Sequence, residues 1–429
     1  IQRTYYLILA LYWLATGLPM ALGMLLAQAR GMDLFQMGLI VGAYSLTIVL
    51  LEVPTGGLAD AIGRKRVALL AYGSALVSSL MFLFAFSFPS LLLAFVLSGV
   101  GRALSSGALD AWFIDSLQAA DPEVELQPVL AKAGTVTLLA LGSGALLGSA
   151  LPRIFASLPA DGSAVLTPLS TPLLFGAIVL IAMLSLTLLL VKEQRPADSS
   201  QGLKQGIRQV PEIIRTGVNL TRHNSTILRL LAVSFARGLV LISLEVLWQP
   251  HFAVLLGGAG EHSLLFGLIM GGNFLAGMVG NMLSAPLSRR LGQRYGLVAA
   301  IFQGVRGVAL MGLALQTTPL AASLLFWLVY LSMGTVNSPH ATLLNQEIPA
   351  RQRSSMLSIE SFVAYLGSIL GSAGLGYLAE QTSIHVAWFA GGVLLVISLG
   401  LYLSIDARQK ESHVRTDAGF NADQKANLG

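Results

Sequence analysis

The stretch that decides the fold of this chain is residues 56–66, GGLADAIGRKR. Two adjacent glycines open it, and three basic residues, Arg64, Lys65 and Arg66, close it. Glycine permits a tight turn, and Lys and Arg concentrate in loops on the cytoplasmic side of a membrane. Long apolar stretches stand on both sides of these residues. The stretch therefore predicts a short cytoplasmic turn between two membrane-spanning helices.

The composition of the whole chain indicates an integral membrane protein. Of the 429 residues, 55% are hydrophobic and 11% are charged, whereas about a quarter of the residues in an ordinary soluble domain are charged. Several uncharged stretches reach the length of about 20 residues that a helix needs to cross a bilayer. The absence of cysteine excludes disulfide scaffolds and thiolate metal sites. The excess of five positive charges is spread over loops, so we expect no nucleic acid partner.

Apolar stretches bounded by charged or Pro- and Gly-rich breaks predict twelve spans. In chain order they cover residues 5–28, 35–59, 67–88, 90–117, 128–157, 171–191, 227–256, 263–288, 295–316, 319–348, 354–380 and 384–405. Three basic residues, Arg102, Arg237 and Arg306, lie in the interior of spans, away from the span ends. Of the others, only Arg30 and Arg153 fall on one side of the membrane, and all the rest lie on or next to the opposite side. The positive-inside rule then predicts that both termini are cytoplasmic.

The two halves of the chain are related by an internal repeat. A shift of 229 residues superimposes three separate glycine pairs, Gly38 on Gly267, Gly42 on Gly271 and Gly142 on Gly371. Such a repeat predicts two six-helix bundles of parallel orientation, with a substrate site between them near the middle of the membrane. We predict four regions: an N-terminal bundle at 1–191, a cytoplasmic linker at 192–226, a C-terminal bundle at 227–405 and a cytoplasmic tail at 406–429.

Glycines four residues apart recur on spans 2, 5, 8 and 11, as Gly38/Gly42, Gly144/Gly148, Gly267/Gly271 and Gly367/Gly371. Such pairs clear one helix face, so that two backbones can approach closely. We expect them at the seam between the bundles, although 45 glycines also produce some pairs by chance. In the linker, apolar residues at helical spacing favour a basic helix on the inner leaflet, whereas Pro211 equally favours a flexible linker. The polar tail is expected to be disordered.

The turn at 56–66 resembles the signature loop of the major facilitator superfamily, G-x-L-a-D-r-x-G-r-k. It departs from that pattern at Ala61, where a basic residue is usual. The twelve spans, the central linker and the repeat fit the same family. The resemblance implies an all-α integral membrane protein with twelve transmembrane helices in two pseudo-symmetric six-helix bundles, which is the major facilitator fold.

The resemblance also implies a cytoplasmic gate. In the family, the aspartate of the loop and the arginine four residues later help to lock the cytoplasmic side. Here the aspartate is Asp60, expected to face Ser354 and Ser355, and the arginine is Arg64, expected to reach Asp115. The other predicted gate residues are Gly56, Gly63, Lys65, Glu52 and Glu360.

Residues 97–102 of span 4, LSGVGR, resemble a second motif of the family, an arginine in the middle of this span. That motif is common among proton-coupled drug antiporters, where the arginine is associated with proton transfer. The antiporter mark on span 5 is matched only loosely, because its glycines are present and Pro152 is displaced. The resemblance is closest to the twelve-helix drug–proton antiporter branch and implies that Arg102 takes part in proton coupling.

Charges inside the membrane indicate the proton carrier, because an ionised group there is costly and needs a function or a partner. Arg102, Ser106 and Asp110 are spaced by four on span 4 and share one helix face, which predicts a polar ladder with Asp110 as proton carrier. The alternative places Asp110 in the cytoplasmic gate. Glu245 on span 7 is the second carrier candidate, and its alternative role is a structural ion pair with Arg237.

The predicted substrate-binding residues are aromatic or polar side chains on spans 1, 4, 7 and 10: Tyr12, Trp13, Ser106, Arg237, Trp248, Asn337 and His340. The aromatic side chains would contact an apolar substrate, or serve instead as packing residues and interfacial anchors. His340 could equally be an interior histidine with all its hydrogen bonds made.

These observations predict a proton-driven exporter of small hydrophobic or amphipathic molecules that works by alternating access. Two alternatives keep the fold: proton-coupled uptake of an anionic metabolite, with Arg102 and Arg237 as its ligands, and lipid flipping between the halves. The sequence has no clustered metal motif, nucleophile elbow or phosphate loop that would indicate an enzyme. We expect no cofactor other than the proton gradient as driving force. A monomer in a bacterial inner membrane, with a small-molecule substrate as partner, completes the prediction.

Single cysteines test the predicted topology without background, because the chain contains none. Ser163→Cys, in the loop between spans 5 and 6, should react with a membrane-impermeant maleimide added to intact cells. Ser199→Cys, in the linker, should react only after the membrane has been permeabilised. The reverse pattern would contradict the prediction of cytoplasmic termini.

Overall fold

The computed structural model describes residues 1–105, 108–193, 215, 220–222, 224–258, 260–349 and 352–426. Within these ranges, the description leaves out the side chains of residues 52–54, 56–57, 59–61, 354–355 and 408–426. The described backbone forms helices and no β-strand. Most of the predicted linker lies outside the described residues, and so do both predictions made for it.

Fourteen α-helices form the described part of the chain. Eight of them precede the linker: α1 Gln2–Gly17, α2 Gly23–Ala29, α3 Leu34–Ile62, α4 Arg64–Phe84, α5 Phe88–Ser105, α6 Ala108–Ala120, α7 Leu126–Ile154 and α8 Thr171–Leu190. Six follow it: α9 Ser225–Leu256, α10 Ser263–Arg290, α11 Tyr295–Ala314, α12 Pro319–Glu347, α13 Arg353–Gln381 and α14 Ile384–Ala426.

Eleven stretches of the described chain are long and apolar enough to cross a membrane, and they correspond to predicted spans 2 to 12. Predicted span 1 is divided into α1 and α2 at Pro19. Proline lacks an N–H and clashes with the carbonyl four residues earlier, so the helix is interrupted. It resumes at Gly23, whose N–H donates to the Pro19 carbonyl oxygen at 2.8 Å. The predicted fold class is confirmed, and the first span differs only in being discontinuous.

The C-terminal tail differs from the prediction of disorder. Helix α14 continues to Ala426, well beyond the segment Ile384–Ala407 that is apolar enough to span the membrane. The tail contains no proline and several Ala, Gln and Lys residues, which have high helix propensity. The polar composition of the tail therefore ends the apolar segment at Ala407, while the helix itself continues to Ala426.

Four helix pairs organise the two bundles. Within the first bundle α1 packs on α7, and within the second α9 packs on α13. Between the bundles, α3 packs on α13 and α7 packs on α10. A shift of six in span number relates these pairs. The pair of spans 1 and 5 corresponds to the pair of spans 7 and 11, and the pair of spans 2 and 11 corresponds to the pair of spans 8 and 5. The packing thus repeats in the way that the internal repeat of the sequence predicts.

Glycines allow the closest approaches inside each bundle. A Cβ atom at Gly148 would lie 1.8 Å from the carbonyl oxygen of Leu18, and one at Gly371 would lie 2.0 Å from that of Leu239. The expectation that these two GxxxG pairs lie at the seam was wrong, because they face helices of their own bundle. Gly142, which the repeat aligned with Gly371, has nothing within 4 Å of such a Cβ. In the structure, the equivalents of Gly367 and Gly371 are instead Gly144 and Gly148.

The other two GxxxG pairs lie between the bundles, as predicted. A Cβ at Gly38 on α3 would lie 2.1 Å from the carbonyl oxygen of Ser372 on α13. A Cβ at Gly267 on α10 would lie 2.0 Å from Oγ of Ser149 on α7. Helices in a bilayer associate through such close packing, because the surrounding lipid is as apolar as their side chains. These contacts draw the bundles together along two lines.

Hydrogen bonds join the bundles at the end opposite the chain termini. Oε1 of Gln249 on α9 accepts from the N–H of Met24 at 2.9 Å, and its Nε2 donates to the carbonyl oxygen of Met20 at 3.0 Å. A carboxylate oxygen of Glu380 on α13 accepts from the N–H of Leu34 at 2.9 Å. Gln249 is only 3% exposed, so its two bonds are shielded from water. The break in span 1 supplies the backbone groups that Gln249 binds.

Two glycine substitutions separate packing inside a bundle from packing between bundles. Gly148→Ala should lower the melting temperature of the purified protein by several degrees, because its clash with Leu18 lies inside one bundle. Gly38→Ala should leave the melting temperature nearly unchanged, because the bundles relieve that clash by separating. Gly142→Ala is the control and should be neutral or slightly stabilising, since Ala favours a helix over Gly by about 1 kcal/mol.

The separation is measured as the distance between spin labels on Arg153→Cys and Glu261→Cys, which are exposed positions on the two bundles. Gly38→Ala should lengthen this distance, whereas Gly148→Ala and Gly142→Ala should not. An unchanged distance in Gly38→Ala would show that this contact does not govern the separation of the bundles.

Candidate functional site

A central cavity of about 400 Å³ lies between the two bundles. Its wall includes Tyr12 and Trp13 from α1, Tyr44 from α3, Arg102 from α5 and Glu245 from α9. Most of the remaining lining is apolar, with several methionine, leucine and phenylalanine side chains. Among the described residues, the wall therefore combines aromatic side chains with one cation, Arg102, from the first bundle and one carboxylate, Glu245, from the second.

Three of the predicted site residues lie together, because Trp13 contacts both Arg102 and Tyr12. The guanidinium carbon of Arg102 lies 5.7 Å from the centre of the Trp13 ring, a distance typical of a cation–π contact. The Tyr12 ring meets that of Trp13 edge to face at 5.3 Å. The Tyr12 hydroxyl shares a hydrogen bond with Oγ of Ser105 at 3.2 Å. Arg102 thus lies beside an aromatic surface, and Tyr12 is hydrogen-bonded to α5, the helix that carries Arg102.

Asp110 is not among the residues that line the central cavity. It is exposed, and its carboxylate accepts a hydrogen bond from the Tyr5 hydroxyl at 2.7 Å. The Tyr5 ring is stacked on Phe113 at 3.7 Å. Ser106, the middle residue of the predicted ladder, lies outside the described residues. The proton-carrying role of Asp110 therefore stays a prediction.

A second cavity of about 350 Å³ lies within the second bundle, and we call it the second-bundle cavity. Arg237 from α9, Arg306 from α11 and Glu360 from α13 are the charged residues on its wall. Nη2 of Arg237 donates to Oδ1 of Asn337 at 2.5 Å, so two predicted substrate-binding residues meet here. Glu245 lies on the central cavity, and no salt bridge joins it to Arg237 among the described residues.

His340 is a buried histidine with partners for both ring nitrogens. Its Nε2 lies 2.9 Å from Oε1 of Glu360 and 3.0 Å from Oγ of Ser234, and its Nδ1 lies 2.7 Å from the Tyr402 hydroxyl. His340 is 3% exposed and is not on the wall of either cavity. The structure favours the alternative of an interior histidine. Glu360, expected at the gate, lies in this network at the edge of the second-bundle cavity.

Trp248 serves mainly in packing. It is 2% exposed, and its ring lies 5.6–6.1 Å from those of Phe252, Phe266 and Phe326. One face also reaches the central cavity. The tryptophan therefore supports the cavity wall from a buried aromatic cluster, and the interpretation of Trp248 as a packing residue is favoured.

The predicted contact between Arg64 and Asp115 is present, and Arg64 also donates to the carbonyl oxygen of Ala111. Nζ of Lys65 donates to the carbonyl oxygen of Leu188 at 2.8 Å. Gly63 precedes α4 with a φ of +98°, a conformation that favours glycine. The side chains of Glu52 and Asp60, the glycine at position 56, and the expected partners Ser354 and Ser355 lie outside the description, so the locking role stays a prediction.

Sequence reasoning missed two acidic residues, each of which binds at the start of the third span of its bundle. The Glu193 carboxylate accepts from the N–H groups of Arg64 and Lys65 at 2.7 and 3.0 Å, at the positive end of α4. In the second bundle, Asp406 at the end of the last span pairs with Arg294, just before α11. This hydrogen bond raises the pKa of Arg294. Both acids are more than 100 positions from their partners, and no local pattern indicates such a pair.

Comparison with known proteins agrees with the architecture. The sequence profile described as Major Facilitator Superfamily matches residues 5–345 and 252–422. A protein of Bacillus subtilis (strain 168), described as the uncharacterized MFS-type transporter YxaM, is 20% identical over 399 residues. The match covers 93% of this chain and 94% of that protein.

Two solved structures have the same fold. A crystal structure of the nucleoside transporter NupG superimposes with a TM-score of 0.74 at 12% identity, covering 94% of this chain and 98% of that one. A transporter of the POT family, in complex with 5-aminolevulinic acid, gives a TM-score of 0.67 at 12% identity, covering 95% and 96%. At such identities the likeness shows the fold alone.

The hydrogen bond between His340 and Tyr402 yields a test of the structural role of this histidine. Tyr402→Phe should lower the free energy of unfolding by about 1–3 kcal/mol, because it leaves a buried ring nitrogen without its partner. Tyr295→Phe is the control, since Tyr295 donates to Gln293 at an exposed position. Thermal unfolding of the purified variants measures both. Equal stability of the two variants would contradict the structural role.

Proposed function

The chain belongs to the Major Facilitator Superfamily, and from this premise we propose that it exports small hydrophobic or amphipathic molecules in exchange for protons. The observation that carries the proposal is the central cavity. It lies between the bundles, it is largely apolar with aromatic side chains, and it holds Arg102 and Glu245 on opposite bundles. An apolar wall with a few polar groups is what a site for amphipathic molecules requires.

The proposed cycle moves the two bundles about the central cavity. The hydrogen bonds of Gln249 and Glu380 hold the bundles together at the end opposite the termini. Breaking these few bonds and the contacts of Gly38 and Gly267 opens that end, while the contacts inside each bundle stay intact. With cytoplasmic termini, the described arrangement is the one closed on the outer side. The position of Arg30 and Arg153 supports this orientation under the positive-inside rule.

We propose Glu245 as the proton carrier of this cycle. Its carboxylate borders the cavity that contains Arg102, so its protonation changes the balance of charge at the site that substrate enters. A ligand or proton shifts a two-state equilibrium only through different interactions with the two states. Protonated and ionised Glu245 interact differently with the cations around it, and this difference would favour one arrangement of the bundles.

A second candidate function is proton-coupled uptake of an anionic metabolite. The specific observation that favours it is the presence of two guanidinium groups, Arg237 and Arg306, on one cavity wall. Two proteins of similar fold are described as a nucleoside transporter and as a POT family transporter with 5-aminolevulinic acid. Small polar molecules therefore belong in any substrate panel.

Accumulation of fluorescent lipophilic compounds in an efflux-deficient bacterial host tests the export. The intact protein should lower accumulation several-fold, and a protonophore should abolish the difference. Glu245→Gln should lose export while remaining in the membrane, because a glutamine cannot carry the proton. Asp110→Asn should retain much of it, since Asp110 does not line the cavity.

Glu261→Gln, which removes an exposed carboxylate, is the matched control and should export normally. If accumulation does not change with any compound of a broad panel, the exporter proposal fails. Uptake of labelled anionic metabolites by the same cells then decides for or against the second candidate. Export that survives Glu245→Gln would remove this residue from the proton pathway.

A further inference from the structure

The second-bundle cavity contains a buried cation with unsatisfied hydrogen-bond donors. Arg306 on α11 is 1% exposed and lines this cavity. Its Nε and Nη2 have no hydrogen-bond partner in the part of the chain that the structure describes. A charged group buried without a partner costs several kcal/mol. A ligand that supplies acceptor oxygens would offset this cost.

The charges around Arg306 leave an excess of positive charge. Arg237 lies on the same wall and is close enough to act on Arg306 electrostatically. The carboxylate of Glu360 is engaged by His340 and Ser234. Glu245 of the central cavity also acts on Arg306, although no salt bridge joins the two among the described residues. Among the described residues, the wall of this cavity thus carries two guanidinium groups and one carboxylate, and that carboxylate is bonded to His340 and Ser234.

The second-bundle cavity adjoins the central cavity along α9. Leu241 lines the former and the next residue, Ile242, lines the latter. Tyr365 on the wall of the second-bundle cavity is also close enough to act on Tyr44 of the central cavity. The two cavities are therefore neighbours, which is the arrangement required by one molecule that extends from the aromatic wall to the two guanidinium groups.

We infer that Arg306 and Arg237 bind the oxyanion, a carboxylate or a phosphate, of an amphipathic substrate whose apolar part occupies the central cavity. The inference rests on the proposed function in taking the central cavity as the path of the substrate. Guanidinium groups suit this ligand because their planar N–H fork matches the oxygens of carboxylate and phosphate. The substrate class is then amphipathic organic anions.

Binding of small aromatic probes to the purified full-length protein tests the inference by calorimetry. Benzoate and phenyl phosphate carry the two oxyanions, benzyl alcohol is a neutral analogue and benzylammonium a cationic one. At least one anion should bind about tenfold more tightly than benzyl alcohol, the effect expected of a charge-assisted hydrogen bond. The stronger anion identifies the oxyanion. If benzyl alcohol binds as tightly as both anions, the inference fails.

Arg306→Gln should remove the preference for the anion, and Arg306→Lys should restore only part of it. Arg289→Gln, which removes an exposed positive charge on α10, is the matched control and should keep the full preference. An unchanged preference in Arg306→Gln would overturn the inference.

A structural role for Arg306 gives a different outcome. If its donors have no partner in the protein, Arg306→Gln should keep or raise the melting temperature without ligand, because a buried unpaired charge is removed. A fall in melting temperature that Glu245→Gln rescues would show that Arg306 serves as an ion-pair partner, and would overturn the inference.

Calorimetry without a proton gradient separates this inference from the proposed function. Anion preference in the purified protein with no export in cells contradicts the proposed function alone. Export in cells with no anion preference in the purified protein contradicts the anion site alone.

Discussion

The close approach of helix backbones at glycine is the constraint on which the rest of this structure depends. In a bilayer, helices gain little from burying apolar side chains against one another, so packing of backbones at short range holds them together. Gly148 and Gly371 provide this contact inside the two bundles, and Gly38 and Gly267 provide it between them. The same kind of contact thus joins helices of one bundle in one place and joins the two bundles in the other. A transporter needs both, because its bundles must stay intact while they move.

The cavities lie where this close packing ends, and they hold the charges that the bilayer would otherwise penalise. Arg102 lies beside Trp13, Arg237 is bonded to Asn337, and Glu360 is bonded to His340. Each of these groups has a neighbour that offsets part of the cost of burial. Arg306 differs, since two of its donors find no partner among the described residues. On this difference rests our proposal that Arg306 binds a ligand, whereas the other charges have partners within the protein.

The sequence predicted the fold and part of the site. It identified the spans, the repeat and five residues of the central cavity, Tyr12, Trp13, Arg102, Glu245 and Trp248. It placed two glycine pairs at the wrong interface, because a GxxxG pattern indicates a close approach and carries no information about the partner helix. It treated span 1 as continuous although Pro19 was visible. It also missed Gln249, whose partners are backbone groups of another helix and leave no trace in residue type.

Hydropathy and the distribution of Lys and Arg are properties of short segments in a lipid solvent, so the chain alone was enough to predict a membrane protein with twelve spans, eleven of which the described helices match. The residues that meet depend on the rotation, tilt and breaks of those spans, and packing against neighbours sets all three. Asp110 therefore meets Tyr5, and Glu193 binds the start of α4, pairings that no spacing in the sequence predicts. Arg306 on α11 lines the second-bundle cavity for the same reason. The fold is encoded locally, and the site arises from the assembly of the helices.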